Sequence, residues 1–519
     1  MAFPFFQVAV IGGGINGAGI AREAAYRGYN CLLAEQGDFA GATSSQSSKL
    51  IHGGIRYLEQ GRMGLVFEAL HERKTLLAIA PHLVSPLRFH IPVYRGDSRA
   101  GWLIGLGCKL YDLLAGPHNL TPSKRIQPQE FGQFPELAQE GLQAIFAYSD
   151  AQVFDARLTL ETALSASLAG AVVRNYYRLV QAQPKGDRFL LEFLDLRTQT
   201  TEWAEAQVVI NAAGAWTPQL DRWFTAKKKR PGLRFSRGIH LVVRAKDPHQ
   251  HGFLTLPEGG RVVFVLPWAG NYTLIGTTES LYEGTDFAHI PPSEEEILYL
   301  LEVYRRYFPA QEIKRSEVLH IHSGVRSLID QGESDLGQMS REYHIEGERL
   351  RGGQGYWAVF GGKITTYRSL GEKVMDQVGR GFPASAQTAK STKASPLPGA
   401  LPLANGQEQT ARAALQEAGL DPSLEALWRG RYGNRWVAVA GLLGENPRYK
   451  EQLLPQGLWW AELAYLMDFE LAHLAEDVLL RRTLLGYETG PAEAEKLQAA
   501  MVDLGVRSGQ SPPPTPGLH

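Results

Sequence analysis

The sequence predicts an α/β fold in three parts: a parallel sheet wound with helices, an inserted antiparallel β-rich cap, and a C-terminal all-helical domain. Residues 7–17 (QVAVIGGGING) read as a short buried strand that stops on glycines and opens into a helix. From residue 232 to about residue 280 the pattern changes to alternating segments, IHLVVR, RVVFVLPW and YTLIGTT, which read as a second sheet. After a Thr, Ser, Pro and Gly-rich stretch, residues 407–506 follow a helical period.

The first segment carries GxGxxG spacing at Gly12, Gly14 and Gly17. The first glycine allows the turn, the second lets backbone N–H groups approach a pyrophosphate, and the third lets helix and strand pack closely. The helix is expected over residues 18–27, and Ile15 and Asn16, between the glycines, are further candidate cofactor-binding residues. A ribose-binding acid should end a second strand about 20 residues on. Glu35 does so, closing CLLA after Gly28. The βαβ grammar is that of a Rossmann-type dinucleotide site, and on its own it leaves NAD and FAD equally open.

Composition narrows the class. A chain of 519 residues is too long for one core. Lys plus Arg (53) nearly balances Asp plus Glu (54), so net charge offers no case for nucleic acid as a partner. Two cysteines, Cys31 and Cys108, cannot form a disulfide framework, which fits a reducing, cytoplasmic compartment. No signal peptide and no spanning run of apolar residues is expected, and no CxxC, HExxH or EF-hand spacing suggests a metal.

After Glu35 comes GDFAGATSSQSSKLIHGGIRYLEQG, dense in hydroxyls and glycines. Thr43, Ser44, Ser45, Ser47 and Ser48 are candidate donors to phosphate and ribitol oxygens, and Gly53 and Gly54 permit close approach to a flat ring. A solvated serine-rich loop is the competing reading. Residues 63–79 read as an amphipathic helix ending before Pro81. In residues 102–114 (WLIGLGCKLYDLL), Leu103, Leu106, Leu110 and Leu113 share one helical face. That face suits either an interfacial helix or a core helix. Residues 149–169 read as a turn and a helix, 171–180 as a strand returning to the first sheet, and 294–307 as a helix. Residues 356–367 (YWAVFGGKITTY) form a second strand that breaks at Gly361 and Gly362 into a helix, aiming N–H groups and the Lys363 ammonium at the ligand's face.

The segments IGGGINGAGIA, ATSSQSSKLIHGGIRYLE, IGTTE, SGVR and GGKITTYR resemble those of the FAD-dependent glycerol-3-phosphate dehydrogenases, within the D-amino-acid-oxidase-like flavoproteins. The resemblance is colinear over nearly the full chain. It implies FAD as cofactor, held also by Lys49, His52, Ala213, Gly214, Ile364 and Thr365. It implies glycerol 3-phosphate as substrate, with Arg56, Arg326, Arg341 and Lys363 as the phosphate cations and Tyr57 and Thr365 as hydrogen-bond partners. His240, in GIHLVV, matches the family's strand histidine and is the expected base; His52 is the second candidate. Two departures stand out: Ala215 and Ser327 occupy positions where the family usually carries proline.

The resemblance implies hydride transfer from a secondary alcohol to FAD, with the electrons passed to a membrane quinone at the inner-membrane surface. Contact with the membrane runs through residues 102–114, and a homodimer is the expected assembly. A glycerol-3-phosphate oxidase forming peroxide and an amine or amino-acid oxidase are the competing activities. The expected domains are an oxidoreductase part, 1–390, a linker, 391–406, a helical domain, 407–506, and a disordered tail, 507–519. Within the first, 1–80, 150–215 and 318–385 bind FAD, and 81–149 and 216–317 form the cap.

Overall fold

The computed structural model describes residues 3–97, 99–224, 232–245, 251–257, 261–330, 339, 342–350, 352–382 and 391–507. Arg341 and the tail from residue 508 lie outside them.

The first strand, Phe5–Ile11, is central, pairing in parallel with Cys31–Ala34 on one side and Thr200–Asn211 on the other. Val172–Arg174 extends the sheet beyond Cys31–Ala34, and Gly355–Phe360 extends it beyond Thr200–Asn211. All four residues of Cys31–Ala34 and all six of Gly355–Phe360 are buried, as strands covered on both faces must be. Helices Ile15–Tyr26, Asp155–Leu168 and Tyr367–Gly379 cover one face, closing a core of Val8, Val10, Ile20, Leu33, Leu160 and Val374. A hairpin, Tyr177–Lys185 with Arg188–Asp195, leans from Thr200–Asn211 over the other face.

The cap is a ten-stranded sheet that includes Val84–Tyr94, Leu142–Val153, Gly232–Arg244, Val263–Trp268 and Tyr272–Gly276. Its pairs are antiparallel except His251–Thr255 with Val84–Tyr94. Two expectations are corrected here. Residues 318–330, assigned to the FAD-binding part, form the strand Val318–Asp330, which pairs in antiparallel with Gly232–Arg244 in the cap. Its mixed pattern, HIHSGVRSL, with one face partly open, suits an antiparallel strand rather than a doubly covered parallel one. Residues 149–153, read as a turn, continue the strand Leu142–Val153. The helices Met63–Ile79 and Glu294–Tyr307 fall where the sequence places them, the second started by a Ser293 and Glu296 capping box.

Residues 391–406 are packed against the first domain and do not behave as a solvated linker. Leu397 is fully buried and its N–H donates to the Ile79 carbonyl at 2.7 Å, while the Gly399 N–H donates to Glu161 at 2.9 Å. Composition marked a loop there, but the backbone donors found tertiary acceptors. Beyond it, helices Gln407–Glu417, Ser423–Tyr432, Trp436–Gly441, Trp460–Glu470 and Pro491–Arg507 surround Trp428, Trp436 and Leu463.

The helical domain docks through buried charge. Arg481 and Arg482, on a π-helical turn, both donate to the Asp38 carboxylate at 2.6 Å. Arg157 forms a two-pronged pair with Glu470 at 2.8 Å. Burial pushes the Asp38 pKa up, but the two guanidinium groups outweigh it and hold the carboxyl at about 2. Asp38→Ala would leave the buried Arg482 without its close carboxylate, while Arg481 keeps Glu476 and Asp477. A loss of about 3–5 kcal/mol is therefore expected, read as a lower thermal unfolding midpoint. An unchanged midpoint would mean that the pair adds nothing to docking.

Candidate flavin and substrate site

At the glycine turn the backbone leaves no room for a side chain. A Cβ on Gly17 would lie 1.8 Å from the Gly12 carbonyl oxygen, and Gly12 itself has φ +112°, with a Cβ there falling 2.6 Å from the Ala212 oxygen. Helix Ile15–Tyr26 therefore starts flush against the strand, with its N-terminal dipole at the turn. Glu35 holds the turn's shape: one carboxylate oxygen accepts from the Gly13 N–H at 2.5 Å and the other from the Gly37 N–H at 2.8 Å. Burial pushes the Glu35 pKa up despite these donors.

The hydroxyl-rich loop folds back onto this turn. Ser44 Oγ accepts from the Ile15 N–H at 2.9 Å, so the loop reaches the first turn of the helix. Thr43 donates to the Val325 carbonyl at 2.8 Å, tying the loop to the cap strand that carries Arg326. Ser45 donates to Ala42 within the loop. The Lys49 ammonium is committed elsewhere. It is buried and bonded to Asp155 at 2.8 and 2.9 Å and to the Ser45 carbonyl, so its charge braces the loop from beneath, and only its backbone remains for a ligand.

The second glycine turn meets the first. Asn16 donates from its amide to the Gly361 carbonyl at 3.0 Å, and a Cβ on Gly362 would stand 2.8 Å from the same amide. Gly361 and Gly362 both have positive φ, which glycine adopts without strain. Ile364 begins the short 3-10 turn Ile364–Thr366. Thr365 accepts from the His52 N–H at 3.2 Å, linking this turn to Gly53 and Gly54. Ala213 and Gly214 follow the strand Thr200–Asn211, with Ala213 lying directly against Gly12.

Arg326 and His240 stand on paired cap strands. Arg326 donates to Thr277 Oγ1 at 3.0 Å, and a Cβ on Gly238 would lie 2.7 Å from its guanidinium. His240, two residues after Gly238, is buried and bonds through Nε2 to Ser48 at 3.0 Å. Burial first, then the charges of Arg326 and Lys49, push its pKa well below the ordinary histidine value. The His52 ring stands edge-on to Phe264 at 6.4 Å; Phe264 pairs with Gly276, against which the His240 ring packs. The Lys363 ammonium sits 3.6 Å above the Tyr57 ring, one residue after Arg56 in a short helix. Sequence reasoning missed Thr277, Gln46 and His322. Their only local signal is position: Thr277 within IGTTE, Gln46 inside the serine loop, and His322 opposite His240 in the strand pair.

These residues fit FAD. The glycine cradle admits a pyrophosphate, the Glu35 carboxylate suits a ribose, and the buried Asn16 Oδ1 has no hydrogen-bond partner among the described residues. Fold and site together define a flavoprotein oxidoreductase.

Comparison with known proteins agrees. The family described as "FAD dependent oxidoreductase" matches residues 7–368, and "C-terminal domain of alpha-glycerophosphate oxidase" matches residues 390–505. The glycerol-3-phosphate dehydrogenase of Pseudomonas aeruginosa is 38% identical over 95% of this chain and 94% of its own. The aerobic glycerol-3-phosphate dehydrogenase of Escherichia coli is 37% identical, over 92% of this chain and 94% of its own. The glycerol-3-phosphate dehydrogenase of Bacillus halodurans, solved with FAD, superposes with a TM-score of 0.75 at 26% identity, covering 97% of this chain and 90% of its own. The chain belongs to the family of FAD-dependent glycerol-3-phosphate dehydrogenases, and its cofactor is FAD.

Gly17→Ala, which forces a methyl group into the Gly12 carbonyl, is expected to yield protein with little bound FAD, read as the ratio of flavin to protein absorbance. Full flavin content would show that the turn relaxes without cost.

Proposed function

We propose that the protein oxidises sn-glycerol 3-phosphate to dihydroxyacetone phosphate and passes the electrons to a membrane quinone. FAD, when bound, supplies the hydride acceptor at N5. The observation that carries the reading is the juxtaposition of Arg326 and His240 on adjacent cap strands beside the flavin loop. Arg326 offers a planar fork to a phosphate dianion, and Thr277 holds it in place. Lys363, over the Tyr57 ring, and Arg56 beside Tyr57 are further cations in this reading. Arg341, which lies outside the described residues, is a further phosphate cation in this reading.

His240 is the base, and the hydroxyl proton reaches its Nε2 through Ser48 Oγ, the half-exposed member of that hydrogen-bonded pair. In the free protein the depressed pKa keeps the imidazole neutral. A phosphate dianion on Arg326 offsets one of the two nearby cations, so basicity rises when substrate arrives. The neutral form is lost only as pH falls below the ordinary histidine range. The His240-dependent acid limb of kcat/KM is therefore expected below pH 6.5, the ordinary histidine value. His240→Gln should lower kcat by about 10²- to 10⁴-fold and abolish that limb, while any limb from the substrate phosphate persists. A variant within a few-fold of wild type would remove His240 from this role and pass it to His52.

Helix Gly101–Ala115 supports the quinone as acceptor. It buries Ile104, Cys108 and Tyr111 but exposes Trp102 (72%), Leu106 (57%) and Leu113 (75%), and Phe67 on the neighbouring helix is 50% exposed. A contiguous apolar face of this kind, with Lys109 on the same helix and Arg99 just before it, suits a monotopic membrane contact. Among the described residues no helix is long and apolar enough to cross a bilayer. Trp102→Glu with Leu106→Glu is expected to abolish flotation with anionic vesicles and leave substrate reduction of the flavin intact. Flotation unchanged by both charges would refute the contact.

The decisive experiment is anaerobic addition of glycerol 3-phosphate to the yellow protein, where flavin absorbance should bleach. Persistent absorbance would overturn the reading. Reoxidation by a soluble quinone faster than by air separates dehydrogenase from oxidase. The D-erythritol 1-phosphate dehydrogenase of Brucella abortus, 36% identical over 91% of this chain, makes that longer phosphorylated alcohol the natural comparison substrate.

A further inference from the structure

Tyr487 belongs to the helical domain yet lies in the core of the cap, in the 3-10 turn Leu485–Tyr487. Its hydroxyl is the middle of a buried chain of hydrogen bonds. Trp268 Nε1–H donates to it at 3.2 Å, and it lies 2.8 Å from His322 Nε2. His322 Nδ1 lies 3.1 Å from Gln46 Oε1, Gln46 Nε2 donates to Ser45 at 3.3 Å, and Ser45 donates to the Ala42 carbonyl at 3.2 Å.

The chemistry of the two ends fixes the direction. Ser45 donates its hydroxyl proton to the Ala42 carbonyl and so accepts from the Gln46 amide, whose Oε1 then accepts from His322 Nδ1. A neutral imidazole protonated there accepts at Nε2 from the Tyr487 O–H, which itself accepts from the Trp268 indole N–H. Burial and the charge of Lys49 keep the imidazole neutral. Each hydrogen-bond donor along the path has one acceptor, and the path ends in the turn Thr43–Ser45, whose Ser44 reaches the helix N-terminus at Ile15.

We propose that Tyr487 is a positioning residue for the cofactor: its hydroxyl, through His322 and Gln46, holds the hydroxyl-rich loop in the conformation that retains FAD. The helical domain is then a working part of the flavin site, coupled to it through one phenol. The inference rests on the assignment of residues 43–48 to the flavin loop.

The test is the rate of FAD release from the full-length holoenzyme, followed by recovery of flavin fluorescence well below the unfolding midpoint. Tyr487→Phe keeps the ring, which stacks on His320 at 5.1 Å, and removes only the hydroxyl. Release should quicken about fivefold to tenfold, the factor carried by one buried hydrogen bond. Tyr465→Phe, a buried phenol in the helical core whose hydroxyl bonds nothing among the described residues, should leave release unchanged. Gln46→Ala should quicken release to a similar degree, and adding it to Tyr487→Phe should give no further increase, because both break the same chain. Equal release from Tyr487→Phe and wild type, or a double variant whose factors multiply, would overturn the proposal. Ser44→Ala should also quicken release; if it does not, the loop assignment fails and the inference falls with it.

Discussion

The contact between Gly17 and the Gly12 carbonyl is the constraint on which the site depends. With no side chain at either position, the helix begins directly at the end of the central strand, and its N-terminal dipole faces the crossing point of the parallel sheet. Three other segments are then drawn to that point by polar groups that need partners. Glu35 takes the Gly13 N–H, Ser44 takes the Ile15 N–H, and Asn16 donates to Gly361. A larger residue at Gly17 would displace all three at once.

The cap contributes a surface of different character. The parallel strands Cys31–Ala34 and Gly355–Phe360 of the first domain are buried along their whole length and apolar on both faces. The long antiparallel pair of Gly232–Arg244 and Val318–Asp330 carries His240, His322 and Arg326 on one face, where the two histidines are buried and Arg326 is half-buried. Cations and histidines side by side would repel if both were charged. Burial and the neighbouring cations keep the imidazoles neutral, so positive charge remains on the groups suited to an anion.

Buried ions recur wherever the parts of the chain meet. Asp38 with Arg481 and Arg482, Arg157 with Glu470, Lys49 with Asp155, and Arg73 with Asp150 are all desolvated pairs. Such pairs add little net stability over apolar packing, but they tolerate few alternative arrangements. Asp38 follows Glu35 by three residues, so the docking pair is anchored in the same short segment that bonds to the glycine turn. The helical domain is fastened to the back of the cofactor site rather than set beside it.

The sequence by itself determined the βαβ unit, the second glycine turn, the β-rich cap and the bounds of helices such as Met63–Ile79, because glycine requirements and apolar periodicity are local properties of the chain. Resemblance to known motifs also named Arg326, Lys363 and His240 as candidates for an anionic alcohol. Tertiary structure alone decided which sheet residues 318–330 join, that residues 391–406 pack, and that Lys49 turns to Asp155. It also decided that helix Gly101–Ala115 leaves its tryptophan and leucines outside, where periodicity allowed either face. The reason is common to all four. Each depends on a partner far away in the chain, such as Gly232–Arg244, Ile79, Asp155 or the cap beneath the helix, and spacing within a segment carries no information about which distant group will meet it.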